Sequence, residues 1–166
     1  TYEQVVALPF ASIGLRLENA PDAPIALLAA SADLNGRLWY LDANRRGVIL
    51  EGGRIAGTRG MSQDLLGARH LPGDPLAERA RPRDWPAETL VIQRARDGAA
   101  QEYTRAFRCA VTYHGIEDAE LYQRIMALAR FTEDCSSGRF TFQNQHWVDP
   151  EDGRMWKTRQ WIGPVA

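Results

Sequence analysis

The residues best suited to chemistry are aromatic side chains in the last quarter of the chain, where Trp147 and Trp156 flank a polar turn. An indole ring offers a wide flat face and one N–H donor, which suits stacking on sugar rings. Gln145 and Thr158 fall on the same predicted face and would add amide and hydroxyl groups. These four residues are a candidate contact for a glycan or a protein partner. The competing interpretation, a Trp147–Trp156 pair packed beneath other parts of the chain, is more common in small β domains.

Residues for acid–base or metal chemistry are poorly placed. The three histidines, His70, His114 and His146, are too far apart in sequence for a zinc site, and neither CxxC nor GxSxG occurs. His146 could act as a base, but a partly exposed residue near Lys157 on the ribbon is the favoured interpretation. The acidic residues near the turn lack the spacing of a calcium loop, and no GxGxxG or GxxxxGK is present. The sequence therefore predicts no enzyme, no cofactor and no metal.

The two cysteines, Cys109 and Cys135, leave two possibilities open. A bridge between them would favour the folded state by about 3 kcal/mol in an oxidising compartment, provided that their strands are adjacent. Two buried thiols acting as small apolar residues are equally compatible with the spacing.

The polar turn at residues 150–153 predicts a hairpin between strands 139–149 and 154–162, because proline and glycine favour tight reversal. In this register Asn144 faces Arg159, and we interpret them as a structural polar pair that fixes the pairing. A slip of one residue would exchange the two faces. The other predicted opposite pairs are Trp147 and Trp156, Gln145 and Thr158, Val148 and Met155, His146 and Lys157, Phe142 and Trp161.

Earlier hairpins are predicted from two short turn signals. Asn35-Gly36 would place Ala32 opposite Trp39 and Ala30 opposite Leu41, with small residues facing large ones. Gly52-Gly53 would place Glu51 opposite Arg54 and Leu50 opposite Ile55. Together with the alternating apolar pattern of residues 11–18, these signals predict an antiparallel meander.

Residues 59–88 contain four prolines among charges and glycine, a composition that excludes central strands. We predict a long surface excursion with one short helical turn near residues 62–66, and a candidate region for partner contact.

Strand signals return at residue 88 and include a turn at Asp97-Gly98. Residues 119–134 fit a helical stripe and an alternating pattern almost equally well, and their composition favours a helix. We predict a strand there, because both neighbouring segments are strands. The fold class is therefore all-β, an antiparallel meander forming a β-sandwich or partly closed barrel with at most short helices.

The size and charge of the chain narrow the function classes. A chain of 166 residues suits one domain, residues 1–166, with an adequate core. Twenty basic and twenty-one acidic residues give a net charge of −1, which provides no electrostatic footprint for nucleic acid. No apolar run is long enough to span a bilayer. The first residue is Thr1, and we expect that a secretion signal or a lipid-attachment site precedes it.

Four segments resemble the YjbF/GfcB-like family of lipoproteins, which belong to group 4 capsule and exopolysaccharide loci of Gram-negative bacteria. The opening LPFASIGLRL, the LWYLDA and GVILEGGRIAGTRG hairpins and the closing FQNQHWVDPEDGRMWKTRQWIGP carry the resemblance, which spans nearly the whole chain. The chain departs from the family pattern at Phe10, where tyrosine is expected, and at Thr158, where serine is usual. Neither change alters the chemistry much.

The resemblance implies a secreted domain with a lipid anchor upstream of Thr1, facing the periplasm from the outer membrane. Its implied role is in assembling or exporting an extracellular polysaccharide by contact with other proteins of the same operon, without catalytic residues. Binding of the polysaccharide itself through an aromatic surface is the alternative. An oxidising periplasm also favours a bridge between Cys109 and Cys135.

Overall fold

The computed structural model describes residues 12–16, 26–34, 36–61, 64–96, 101–121 and 124–163. Its strands form two antiparallel sheets, one of which curls into a half-barrel, and this confirms the predicted fold class. In spatial order, the first sheet contains β1 (Ser12–Leu15), β2 (Ala26–Ala32), β3 (Leu38–Leu41), β4 (Gly47–Glu51) and β5 (Arg54–Arg59). The second contains β11 (Met155–Arg159), β10 (Phe140–Val148), β9 (Arg124–Ser137), β8 (Glu102–Leu121), β7 (Glu88–Arg96) and β6 (Leu65–His70).

The centre of the second sheet is the long β8–β9 hairpin. Residues 119–121 and 124–134 are extended, as predicted, but they are not one strand, because residues 119–121 end β8, the chain reverses between Leu121 and Arg124, and residues 124–134 belong to β9. Its helix-favouring composition is overridden because β8 and β10 both hydrogen-bond to it. A bulge between Tyr113 and Gly115 interrupts the β8–β9 pairing, and Gly115 adopts a φ of 96° that favours glycine.

The two predicted early hairpins have different outcomes. Opposite pairing of Glu51 with Arg54 is confirmed. The register predicted from Asn35-Gly36 is wrong by one residue, because Ala32 lies opposite Leu38. The carboxylate of Asp33 explains the longer loop, since it accepts the backbone N–H of Arg37 at 3.0 Å. Asn35 and the predicted Asp97-Gly98 turn lie outside the described residues.

The last hairpin has the predicted turn but not the predicted register. Asp149 N–H donates to the Arg154 carbonyl at 2.8 Å, and Val148 faces Met155 as expected. A bulge between Trp147 and Val148 then shifts the remaining pairs. The predicted Trp147–Trp156, Gln145–Thr158, His146–Lys157 and Asn144–Arg159 pairs are therefore wrong. The observed pairs are Trp147 with Lys157, His146 with Thr158, and Gln145 with Arg159.

The proline-rich region differs from its prediction in two ways. Leu65–His70 form the edge strand β6, so the helical turn predicted near residues 62–66 is wrong at residues 65–66, while residues 62–63 lie outside the described residues. Residues 71–87, which we call the cover loop, are partly interior, because Asp74, Pro75 and Leu76 are buried. A short 3-10 turn at Pro82–Asp84 follows. Composition correctly excluded a central strand, but an edge strand remained permitted.

Two glycines allow the backbone of the cover loop to pack closely against neighbouring segments. A Cβ at Gly52 would lie 2.5 Å from the Leu76 carbonyl oxygen, and one at Gly153 would lie 2.3 Å from the Arg79 carbonyl oxygen. Both glycines also have positive φ, 59° and 70°. The loop backbone therefore packs where only glycine leaves room.

The buried apolar side chains form several clusters. The largest cluster centres on Phe107, whose ring contacts Phe142 edge-on at 4.9 Å, while Trp161 stacks on Phe142 at 4.4 Å. A second cluster joins Leu76 to Phe131, on which Trp85 stacks at 3.9 Å. Within the described residues, no helix has the length and apolar character needed to cross a bilayer.

Candidate functional site

The most unusual chemistry of the interior is an ion pair between the two sheets. Arg54 extends from β5 of the first sheet and Glu133 from β9 of the second, and their side chains are 1% and 0% exposed. Both terminal nitrogens of Arg54 donate to the two carboxylate oxygens of Glu133, each at 2.5 Å. This two-pronged geometry is the strongest that arginine makes with a carboxylate. It joins residues 79 positions apart in sequence.

Asp74 brings the cover loop into the same network. The Arg54 Nε donates to both oxygens of Asp74, at 2.9 and 3.0 Å. The Asp74 Oδ1 atom also accepts the backbone N–H groups of Leu76 and Ala77, at 3.1 and 3.0 Å. The Asp74 carboxylate therefore fixes the loop backbone and also balances part of the charge of Arg54 in the interior.

Glu133 accepts three further hydrogen bonds. The Thr89 hydroxyl donates to Oε1 at 2.9 Å, the Asn144 amide donates to Oε2 at 3.3 Å, and His146 Nε2 lies 3.0 Å from Oε2. Asn144 Oδ1 accepts the backbone N–H of Trp161 at 2.9 Å. Asn144 is thus a buried polar residue, as predicted, but its partners are Glu133 and Trp161 and not Arg159.

His146 continues the network toward β11. Its Nδ1 lies 2.8 Å from the Thr158 hydroxyl, which accepts the Gln160 amide at 3.0 Å. Gln160 also donates to the Gly53 carbonyl at 2.8 Å, on the first sheet. A neutral ring protonated at Nε2 donates to Glu133 and accepts the single hydroxyl proton of Thr158, which in that state does not donate to the Gln145 carbonyl 3.2 Å away.

The charge states follow from burial and partners. Burial lowers the pKa of Arg54, but attraction to Glu133 and Asp74 outweighs it and raises that pKa above its usual value. Burial raises the pKa of Glu133, but the charge and hydrogen bonds of Arg54 hold it well below 4.5. Burial lowers the pKa of His146 more than Glu133 raises it. The network therefore contains an arginine cation, a glutamate anion and a neutral imidazole.

His70 borders the network without joining it. Its side chain is 5% exposed, and Nδ1 lies 3.9 Å from an Asp74 carboxylate oxygen. Neither ring nitrogen has a hydrogen-bond partner among the described residues. Burial, then the positive charge of Arg54, lowers the pKa of His70 below 6.5. The ring is therefore neutral at neutral pH.

Stability should fall in two stages as the pH is lowered. His70 and His146 have folded pKa values below 6.5, so the unfolded chain binds more protons from about pH 6.5 downward and stability decreases. The stabilisation from the depressed pKa of Glu133 is complete above about pH 4.5 and disappears as the pH falls through the folded pKa. Urea midpoints measured between about pH 8 and pH 2 check this order.

A His146→Gln variant is the control for the first stage of this acid profile. Glutamine cannot gain a proton on unfolding, so the decrease in the urea midpoint between about pH 6.5 and pH 5 should become smaller. A wild-type midpoint that stays constant over that interval would contradict the assignment of neutral buried histidines.

The residues predicted as a glycan or partner contact do not form one surface. Trp147 is 9% exposed, its indole N–H donates to Glu117 Oε1 at 2.6 Å, and Lys157 Nζ lies 4.9 Å from its ring centre. Trp156 is 43% exposed. Gln145 lies on the face of β10 that carries Trp147, whereas the Thr158 hydroxyl binds His146 on the other face. Their role in recognition stays a prediction, and Trp156 is the accessible member.

Cys109 and Cys135 lie directly opposite each other in β8 and β9, with a Cα–Cα distance of 3.9 Å, and form a disulfide. Both are buried, and Cys135 lies on the same inner face of β9 as Glu133. The bridge therefore fixes the hairpin beside the ionic network.

Sequence reasoning missed Arg54, Asp74 and Glu133 as interacting residues. A local signal existed for Glu133, because it alternates with Phe131 and Cys135 at inward positions of a strand, where a charge requires a partner. Within the described ranges, no three or more His, Cys, Asp or Glu side chains group closely enough to hold a metal ion. The hydrogen-bond donors and acceptors of the network bind one another. The network therefore links the two sheets and the cover loop.

These features define a class, a two-sheet antiparallel β domain whose interior charges connect its layers. The chain belongs to the YjbF family, described as group 4 capsule polysaccharide lipoprotein GfcB, YjbF, whose sequence model matches residues 1–166. The fold is similar to the crystal structure of the hypothetical lipoprotein YmcC from Escherichia coli (K12), with a TM-score of 0.82. That similarity has 20% identity and covers 97% of this chain and 81% of that chain. Among curated proteins, no relative matches.

Proposed function

We propose that this domain takes part in the assembly or export of a capsule or exopolysaccharide as a non-catalytic, lipid-anchored component on the periplasmic face of the outer membrane. Its partners are other export or assembly proteins encoded with it. The observation that carries the proposal is membership in the capsule polysaccharide lipoprotein family over the whole chain.

The chemistry of the interior supports a non-catalytic role. Arg54, Glu133 and His146, whose pKa values are shifted, are no more than 1% exposed and bind one another. A general acid or base must reach the substrate proton within hydrogen-bond distance, directly or through one water. Side chains so enclosed stabilise the domain, and function then depends on the surface that this rigid interior supports.

The exposed side of the cover loop is the proposed contact for a partner protein. Leu71 is 50% exposed, and Arg79 and Arg83 are also exposed, while the opposite side of the loop carries the buried Asp74 and Leu76. Deleting residues 59–88 would remove β6 and Asp74, so it would unfold the domain rather than isolate a binding defect. Surface substitutions are the appropriate variants.

Complementation of a strain that lacks the gene tests the proposal. The full-length protein with Leu71→Asp and Arg83→Glu should reach wild-type levels but lose polysaccharide at the cell surface and lose cross-links to an export protein. A matched control is Arg96→Glu, also exposed, at the end of β7 that lies about 26 Å along the strand from Glu88, where the cover loop ends. Normal export and cross-linking by the cover-loop variant would refute the proposed contact. Shortening or covalent change of purified polysaccharide by the domain would refute the non-catalytic role.

Direct glycan binding is the second candidate, because Trp156 keeps 43% of its surface exposed and Arg154 lies 5.8 Å from its ring centre. An aromatic face beside a cation suits an acidic sugar. If this candidate is correct, the purified polysaccharide changes the indole fluorescence of the wild type but not that of a folded Trp156→Ala variant.

A further inference from the structure

Two arginines share one aromatic ring at the end of the second sheet where β9 turns into β10. The guanidinium carbons of Arg105 and Arg139 lie 3.6 and 5.2 Å from the centre of the Phe140 ring. The guanidinium carbon of Arg105 also lies 5.0 Å from the ring centre of Tyr103. These four residues, which we call the arginine–aromatic cluster, bring two positive charges close together.

The aromatic rings hold one of the guanidinium groups in place. Tyr103 and Phe140 are half-buried and pack against the apolar cluster that contains Phe107. Because a guanidinium donates hydrogen bonds in its own plane, contact of its flat face with a ring leaves those donors available. Arg105 is half-buried and Arg139 is exposed, so a ligand in solvent can reach both. The cluster therefore presents cationic donors that are partly oriented before any ligand binds.

The charges of the cluster are not balanced within the part of the chain that the structure describes, where neither arginine has a carboxylate within ion-pair distance. Two other arginines that lie over aromatic rings do have such a partner. Arg130 pairs with Glu117 at 3.5 Å, and Arg154 pairs with Asp152 at 3.7 Å. Two cations beside one ring repel each other unless an anion joins them. This arrangement is therefore typical of a site that binds an anion.

We propose that the arginine–aromatic cluster binds the carboxylate of an acidic sugar in a polysaccharide chain. A planar carboxylate matches the paired donors of a guanidinium, and the neighbouring rings offer apolar contact to the sugar. This inference rests on the proposed role in polysaccharide assembly or export, and it names the class of polysaccharide as one that contains uronic acids. It requires neither the cover-loop contact nor Trp156.

An acidic glycan fits the cluster better than an anionic membrane surface does. Recognition of anionic lipids typically uses clusters of roughly 4–8 basic residues. The arginine–aromatic cluster supplies two, on a chain whose net charge is −1. A single carboxylate on a sugar needs only one or two guanidinium groups, so the number of cations matches a glycan contact.

Titration calorimetry of the purified domain with oligogalacturonate, a chain of carboxylated sugars, tests the proposal. The wild type should bind this chain at low salt and should bind neutral maltohexaose at least about tenfold more weakly, because only the acidic chain pairs with the arginines. Salt should weaken binding of the acidic chain. A folded variant with Arg105→Gln and Arg139→Gln should lose at least about tenfold in affinity for oligogalacturonate.

The matched control removes the same two charges from the other face of the sheet. Arg69 and Arg94 are exposed there, opposite Ile92 and Thr104. The Arg69→Gln, Arg94→Gln variant should bind oligogalacturonate like the wild type. Circular dichroism checks folding. If the double variant of the cluster does not fold, the Arg139→Gln substitution at its exposed position should still weaken binding.

Three results would overturn the proposal. They are a wild type that does not bind oligogalacturonate, equal binding of the acidic and neutral chains, and a folded cluster variant that binds like the wild type or like the control variant. Phosphatidylglycerol vesicles are the remaining probe. Vesicle binding that the cluster variant loses, without binding of oligogalacturonate, would assign the cluster to a lipid surface and would also overturn the proposal.

The binding test and the export test can fail separately, because calorimetry uses the purified domain and needs no export partner. Absence of oligogalacturonate binding beside a cover-loop variant that loses export would overturn only the inference about the arginine–aromatic cluster. Oligogalacturonate binding beside a cover-loop variant that exports normally would refute only the cover-loop contact.

Discussion

Replacing Glu133 with glutamine should lower the free energy of unfolding by about 3–5 kcal/mol, the range found when one partner of a buried ion pair is removed. Glutamine keeps the size of the side chain but removes the charge that balances Arg54. The guanidinium is 1% exposed and cannot turn to water. Asp74 alone would then neutralise it, and the hydrogen bonds from Thr89 and His146 would lose a charged acceptor.

Urea denaturation monitored by circular dichroism measures the effect of Glu133→Gln. Glu88→Gln is the matched control, because Glu88 pairs with Arg108 at 2.8 Å in an exposed ion pair, and its loss should cost less than about 1 kcal/mol. Thr89→Val is a milder change in the same network and should cost about 1–2 kcal/mol. A Glu133→Gln protein within about 1 kcal/mol of the wild type would show that the network does not stabilise the domain.

The Thr89→Val variant keeps this test decisive if Glu133→Gln does not fold. An ordinary domain has only about 5–15 kcal/mol of stability, so the larger substitution can remove most of it. Failure of Glu133→Gln to fold beside a normal Glu88→Gln protein would agree with the prediction. A Thr89→Val protein as stable as the wild type would contradict the prediction, since the Thr89 hydroxyl donates to Glu133 at 2.9 Å.

The antiparallel meander was predictable because its signals are local. Alternating apolar residues and glycine-centred turns act over a few positions, and they correctly identified the turn at residues 150–153 and the pairing of Glu51 with Arg54. Registers beyond a bulge were not predictable. Trp156 adds one residue to β11 next to the Val148–Met155 pair, and every later pair shifts by one.

The buried network could not be predicted, because its members come from distant parts of the chain. Arg54 and Glu133 are 79 positions apart, and Asp74 lies in a loop whose composition indicated a surface segment. The prediction that His146 is a partly exposed residue near Lys157 is wrong, because its side chain is 0% exposed and Lys157 pairs with Trp147. Because the register of β11 is shifted by one residue, Thr158 lies opposite His146, and Glu133 lies on the neighbouring strand β9. A long-range ion pair leaves no periodic pattern in sequence, only an inward charge that needs a partner.

Removing the disulfide should lower stability by about 3.5 kcal/mol in a chain-entropy estimate for a loop of this length. Cys109 and Cys135 are separated by 26 positions, and the bridge limits the number of conformations that the unfolded chain can adopt. The folded hairpin should change little, because β8 and β9 remain paired by backbone hydrogen bonds on both sides of the cysteines. The loss should therefore appear as a lower urea midpoint with a native-like spectrum.

The measurement compares urea midpoints of the wild type with and without reductant, and those of a Cys109→Ala, Cys135→Ala double variant. Reductant should lower the wild-type midpoint and leave the variant unchanged. Two free thiols in the unreduced protein, detected by alkylation and mass spectrometry, would contradict the bridge itself. An unchanged midpoint on complete reduction would instead contradict the entropic argument.

A double-mutant cycle distinguishes how the bridge and the ionic network stabilise the domain. The bridge acts mainly on the unfolded chain, whereas the hydrogen bond from Thr89 to Glu133 exists only in the folded state. The effects of Thr89→Val and of cysteine removal should therefore add to within about 0.5 kcal/mol. Glu133 and Cys135 lie two positions apart on the same face of β9, so a larger coupling would mean that the bridge also positions the Glu133 carboxylate toward Arg54.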